Sequence, residues 1–151
     1  MKKDEKRTWA WIGAAVVILA LIAVFSGKLG NLTAPAGPSG PTPVYAPQGQ
    51  LVGGFPKALI LDQNAAVSNS YSINYSAGIN QYTAQWTSSM SLNNLFSAYQ
   101  SYFSGNGWKV SNVMAYPKAK GMHAENASST VGISITDNVK SRAVTITYVA
   151  K

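Results

Sequence analysis

The stretch SLNNLFSAYQSYFSGNGW, residues 91–108, repeats its large apolar side chains at the spacing of a helix. They fall at i, i+3, i+4, i+7, i+10 and i+11, a single stripe with a period near 3.6. The stripe consists of Leu92, Leu95, Phe96, Tyr99, Tyr102 and Phe103. Ser91 is suited to cap this helix, and Gly105 is suited to end it in the left-handed conformation. Because such a stripe has to be buried against a second layer, core packing explains it better than a binding surface does.

Two stretches before the helix alternate between apolar and polar residues, as strands with one wet face do. They are SYSINYS, residues 70–76, and NQYTAQWT, residues 80–87, and SAGIN between them suits a hairpin turn. We expect the apolar members of both strands to face the helix together: Tyr71, Ile73, Tyr75, Tyr82, Ala84 and Trp86.

Further strands are predicted on both sides of this region. The candidates are ALIL at 58–61 and the segments near 108–114, 121–127, 130–136 and 142–150. In the last two strands, one face collects Val131, Ile133, Ile135, Val144, Ile146 and Tyr148. One helix against an antiparallel sheet predicts a two-layer α+β domain over residues 55–151.

The run WAWIGAAVVILALIAVFSG, residues 9–27, contains no charged residue. As a helix it would span about 28 Å, close to the hydrocarbon thickness of a bilayer. Four basic residues precede it, within a short segment 1–8, and one follows it. The positive-inside rule therefore predicts a single-pass helix in the cytoplasmic membrane, with residues 1–8 inside and the domain outside. A signal anchor is favoured over a cleaved signal peptide, whose apolar region is usually shorter.

Residues 28–54 are rich in proline and glycine, with five prolines between Pro35 and Pro47. Proline removes backbone donors and stiffens the chain, glycine loosens it, and neither supplies a core. This segment is predicted to be a linker that lifts the domain off the membrane.

The chain is poor in charge. Charged residues make up 11% of it, against about 25% in a typical soluble domain, and Ser, Thr, Asn and Gln take their place. This composition favours an envelope or extracellular protein. The net charge is +7, but the basic residues are scattered, so no nucleic-acid partner is expected. The absence of cysteine excludes disulfides, thiol catalysis and cysteine-ligated zinc.

No arrangement of residues predicts catalysis, a cofactor or a metal site. His123 is the only histidine, with Glu125 two residues on. The segment after Asp62 begins like a calcium loop, but Val67 and Ile73 stand where that loop needs glycine and glutamate. We find no nucleophile elbow and no phosphate-binding loop. An envelope hydrolase or accessory protein centred on His123 remains an alternative.

The predicted wet faces of two neighbouring strands suggest an interaction surface. Soluble domains usually spread lysine and glutamate over such faces, whereas these carry none. An uncharged polar face can dock against another envelope protein or a glycan through hydrogen bonds. The candidate surface consists of Ser72, Asn74, Gln81, Thr83, Gln85 and Thr87.

The passage YTAQWTSSMSLNNLFSAYQSYFSGNGWKV resembles a layout of small exported bacterial domains: a strand, a Ser- or Thr-capped aromatic helix, and a Gly-Trp pair opening the next strand. The matching positions are Ser91, Leu95, Tyr99, Phe103, Gly107 and Trp108. The whole chain resembles uncharacterised single-pass membrane proteins of bacteria. This resemblance implies a fold and a location but carries no catalytic residues.

These observations predict a membrane-anchored extracytoplasmic domain that binds or scaffolds other components without catalysis. A pilin-like or other filament subunit is an alternative, since it also has a basic leader and an apolar N-terminal helix. Pilins, however, place a glutamate near the start of the apolar segment, whereas Glu5 precedes the run here.

The predicted topology can be tested with protease. Added to intact cells, protease should remove the domain by cutting within residues 28–54, because this segment is expected outside the membrane. Immunoblotting against the domain measures the loss. A domain that stays protected until the membrane is broken would contradict the topology, and a mature N-terminus near residue 27 would show cleavage.

Overall fold

A computed structural model describes residues 40–75, 78–138 and 140–150 of the chain. In these ranges it confirms the α+β class, with one α-helix and a seven-stranded antiparallel sheet. No helix in these ranges is long and apolar enough to cross a membrane. The predicted cytoplasmic segment 1–8 and membrane helix 9–27 lie outside the described residues.

The sheet is built from hairpins around one long crossover. Helix α1 (Leu92–Gly105) connects β3 to β4, which lies at the far edge, and the spatial order is β1-β2-β3-β7-β6-β5-β4. The strands are β1 (Val44–Tyr45), β2 (Ala66–Tyr75), β3 (Ile79–Ser88), β4 (Lys109–Ala115), β5 (Ala119–Glu125), β6 (Ser129–Asn138) and β7 (Ser141–Ala150).

Helix α1 begins and ends through identifiable contacts. The Ser91 hydroxyl accepts a hydrogen bond from the backbone N–H of Asn94 at 3.2 Å, which confirms the predicted N-cap. At the other end, Gly107 has a φ of 73°, and the Trp108 N–H bonds back to the carbonyl of Phe103 at 3.0 Å. Gly107 is therefore the left-handed residue that ends the helix, and the prediction for Gly105 is wrong.

The apolar stripe of α1 is buried as predicted, except that Tyr102 is only partly buried, and the helix faces the sheet over β4, β5 and β6. We call this side of the sheet the inner face. The strands contribute a matching set of buried side chains to it: Ala84, Trp86, Met122, Ala124, Val131, Ile133, Ile135, Val144 and Ile146. The opposite side is called the open face.

A second covering layer on the inner face comes from residues 46–62, which we call the strap. The Val52 N–H donates to the Ser70 hydroxyl at 3.0 Å, and the Tyr99 hydroxyl of α1 donates to the carbonyl of Leu59 at 2.8 Å. Phe55 and Leu59 are buried in the core. The strap thus completes the inner layer beside the helix.

The strap changes two predictions. ALIL at 58–61 is not a strand: Lys57–Leu59 form a single 3-10 turn, which directs Leu59 into the core. In addition, β1 lies within the predicted linker and pairs with β2 through Val44 and Tyr45. The described compact unit begins at Gly40 and includes both of these segments.

A β-bulge in β2 decides which side chains face the helix. Before it, Val67 pairs with Trp86 of the inner face; after it, Asn69 pairs with Gln85 and Ser70 with Ala84. Ser68 is the extra residue, and one extra residue transfers every later side chain to the other face. The prediction that the apolar residues of β2 face the helix is therefore wrong for Tyr71, Ile73 and Tyr75.

The buried stripe predicts the effect of a charge on each side of α1. Leu95→Asp should unfold the protein, because Leu95 is 0% exposed and a buried unpaired charge costs several kcal/mol against a total stability of about 5–15 kcal/mol. Asn94→Asp, on the exposed side, should melt like the parent. Thermal unfolding followed by circular dichroism measures both, and equal melting temperatures for the two variants would contradict the assignment.

Two adjacent glycines test whether the strap is part of the fold. Gly54 has a φ of 92°, and a Cβ added there would lie 2.6 Å from the Tyr82 ring, whereas one at Gly53 would meet nothing within 4 Å. Gly54→Ala should lower the stability by about 1–3 kcal/mol, roughly 5–20 °C in melting temperature. Gly53→Ala is the matched control and should stay within a few degrees of the parent. If Gly54→Ala and Gly53→Ala have the same melting temperature, the strap does not lie against Tyr82, and this part of the fold is contradicted.

Candidate binding face

The six residues predicted as one interaction surface lie on two different faces. The open face carries four of them, all from β3: Gln81, Thr83, Gln85 and Thr87. The β3 residues that alternate with these lie on the inner face: Tyr82, Ala84 and Trp86. Ser72 pairs with Tyr82, and Asn74 lies on the same side of β2 as Ser72. The last two therefore belong to the inner face, because of the bulge at Ser68.

The four β3 residues also differ in exposure. Gln81 is 6% exposed and Thr83 only 1% exposed, while Gln85 is half-buried and Thr87 is exposed. The Thr83 hydroxyl is buried without a hydrogen-bond partner among the described residues. The face of β3 that was predicted to be exposed to solvent is thus exposed only near Thr87 and is buried near Gln81 and Thr83.

Pairing with β7 and β6 extends this face across the middle of the sheet. Gln85 lies opposite Thr145, which lies opposite Ser134. The other open-face positions of β7 and β6 include Thr147, Val149, Thr130, Gly132 and Thr136. Neighbouring side chains are spaced by about 4.8 Å across strands and about 7 Å along them. The result is a dense array of hydroxyls and amides.

A cluster of aromatic rings borders this array on the β1–β2 side. Tyr45 and Tyr71 lie directly opposite each other, with ring centroids 5.4 Å apart and planes tilted by 48°. The Tyr75 hydroxyl reaches Oε1 of Gln81 at 3.3 Å. Burial raises the pKa of the Tyr75 phenol above its ordinary value, and charge repulsion from Tyr71 raises it further. These rings lie where sequence reasoning placed serine and asparagine.

Charge is confined to the other border of the open face. Among the described residues of β2, β3, β7 and β6, no charged side chain lies on this face. On β4 and β5, Lys109 Nζ lies 3.8 Å from Glu125 Oε1, and both side chains are well exposed. An exposed pair of this kind contributes little to stability and leaves the middle of the face neutral.

The residues singled out for chemistry do not converge on one site. His123 lies on the open face of β5, opposite Ser111 of β4 and Gly132 of β6. Asp62 is buried near the end of β3, where the Ser88 hydroxyl donates to it at 2.5 Å and the Asn64 N–H at 2.9 Å. Asp62 therefore fixes the strap to β3. In the described part of the chain, no three acidic or histidine side chains group to hold a metal ion.

Sequence reasoning missed the contribution of the later strands to this face. Thr145 and Thr147 alternate with buried Val144 and Ile146, so the period of two in SRAVTITYVA already indicated their side of β7. The sequence did not indicate that β7 pairs with β3, because the order of the strands depends on the crossover through α1. Tyr71 was missed for a different reason, namely the bulge.

Comparison with protein-family models, with curated proteins and with solved structures finds no match for this chain.

Proposed function

We propose that this chain is a membrane-anchored binding domain, displayed outside the cytoplasmic membrane by residues 9–27, that binds its partner through the open face without catalysis. The anchor rests on the uncharged apolar run and on the basic residues before it.

The observation that carries the proposal is the make-up of the open face. One side of the sheet is covered by α1 and the strap, whereas no described element packs over the hydroxyl and amide array on the other. The inner face uses its side chains for the core. On the open face, the half-buried Gln85 and the exposed Thr87 and Tyr45 can make hydrogen bonds and ring contacts with a partner.

Two exposed tyrosines allow a matched test in living cells. Tyr45, at the border of the open face, is 61% exposed, and Tyr116, in the turn after β4, is 64% exposed. A photoreactive benzoylphenylalanine at position 45 should form covalent adducts with the partner on irradiation. The same residue at position 116 should form few or none.

The adducts are measured as shifted bands on immunoblots of the full-length protein. Because both positions are aromatic and similarly exposed, non-specific labelling affects them equally. Equal adduct yields at 45 and 116, or adducts at 116 alone, would contradict binding at the open face.

A further inference from the structure

We propose that the ligand of the open face is a neutral glycan chain, an inference that rests on the proposed function and names its ligand class. The aromatic border of Tyr45 and Tyr71 would contact the apolar face of a sugar ring, and Gln85 with Thr145 would bond to its hydroxyls.

The distribution of charge favours a neutral ligand. A polyanion such as a nucleic acid or an acidic polysaccharide is bound mainly through lysine and arginine. Those side chains are lacking on the open face of the described β2, β3, β7 and β6 strands. The basic residue at the far border, Lys109, is paired with Glu125. A charged ligand would thus lose its hydration without meeting an opposite charge.

The polarity of the face favours a sugar over a protein. A protein interface usually has an apolar core surrounded by a polar rim. Here Gln85, Thr145 and Ser134 lie in a row across the middle of the face, and the apolar side chains and rings, among them Ile73 and Tyr71, lie toward the β1–β2 border. Sugars offer many hydroxyls that both donate and accept hydrogen bonds, which matches hydroxyl and amide side chains. The half-buried Val149, between Gln81 and Thr130, adds an apolar contact within the array.

The buried Thr83 hydroxyl supplies an independent observation. It lies at the centre of the face, between Tyr71 and Thr147, and lacks a hydrogen-bond partner in the described structure. A buried polar group without a hydrogen-bond partner is costly, because it has lost its hydrogen bonds to water. A sugar hydroxyl reaching between the neighbouring side chains would satisfy it.

Binding can be measured by isothermal titration calorimetry on the purified full-length protein. The neutral probes are hexasaccharides of β-1,4-linked glucose and of β-1,4-linked N-acetylglucosamine, and the charged probe is hexagalacturonate. At least one neutral probe should bind, and hexagalacturonate should not. Tyr45→Ala and Gln85→Lys should each weaken that binding by at least about tenfold, which corresponds to about 1.4 kcal/mol.

Tyr116→Ala removes an equally exposed ring elsewhere and should bind like the parent. Circular dichroism of each variant confirms that it is folded. No binding of either neutral probe, or equal binding of hexagalacturonate, would overturn the glycan assignment. If the photoreactive residue at position 45 nevertheless forms adducts, the proposed function stands. The adducts then show that the partner is a protein. If Tyr45→Ala and Gln85→Lys both bind the sugar with the affinity of the parent, the sugar binds elsewhere, and the proposed site is overturned.

Discussion

In the part of the chain that the structure describes, the fold depends on covering a seven-stranded sheet with a single helix of 14 residues. Such a helix is about 21 Å long, whereas the outer strands of the sheet are about 29 Å apart. Helix α1 packs over β4, β5 and β6, and the strap covers the rest of the inner face. The bond from the Tyr99 hydroxyl to the Leu59 carbonyl joins the two layers in the core.

The strap explains why β2 turns its small polar residues inward. Irregular chain brings unpaired backbone donors to the sheet, and these need partners when buried. Ser70 supplies one by accepting from the Val52 N–H while its hydroxyl donates to the Thr83 carbonyl. The bulge at Ser68 makes this arrangement possible and sends the β2 rings to the open face, where they border the hydroxyl array.

Local patterns in the sequence predicted the elements well and their relations less well. Periodicity alone predicted the stripe of α1 and the inward-facing sides of β3, β6 and β7, because the repeat of apolar residues in each element identifies the side that is buried. The Ser91 cap was predicted from the residue type at the start of the stripe. The bulge at Ser68 has no local signal of this kind, and it reverses the faces of β2. The strap contains the proline and glycine typical of a linker, yet it is ordered by contacts with distant residues such as Ser70 and Tyr99. Only part of the candidate face could therefore be predicted: Gln81, Thr83, Gln85 and Thr87 were placed on the correct side of β3.

The orientation of Tyr71 tests this account most directly, because both the bulge and the aromatic border depend on it. Side chains directly opposite each other on paired strands lie about 5 Å apart at Cβ. In the nuclear Overhauser spectrum of the protein, the Tyr71 ring should show contacts to the Thr83 methyl group and to the Tyr45 ring. Contacts from the Tyr71 ring to the Ala84 methyl group, and none to Thr83, would place it on the inner face and contradict the account.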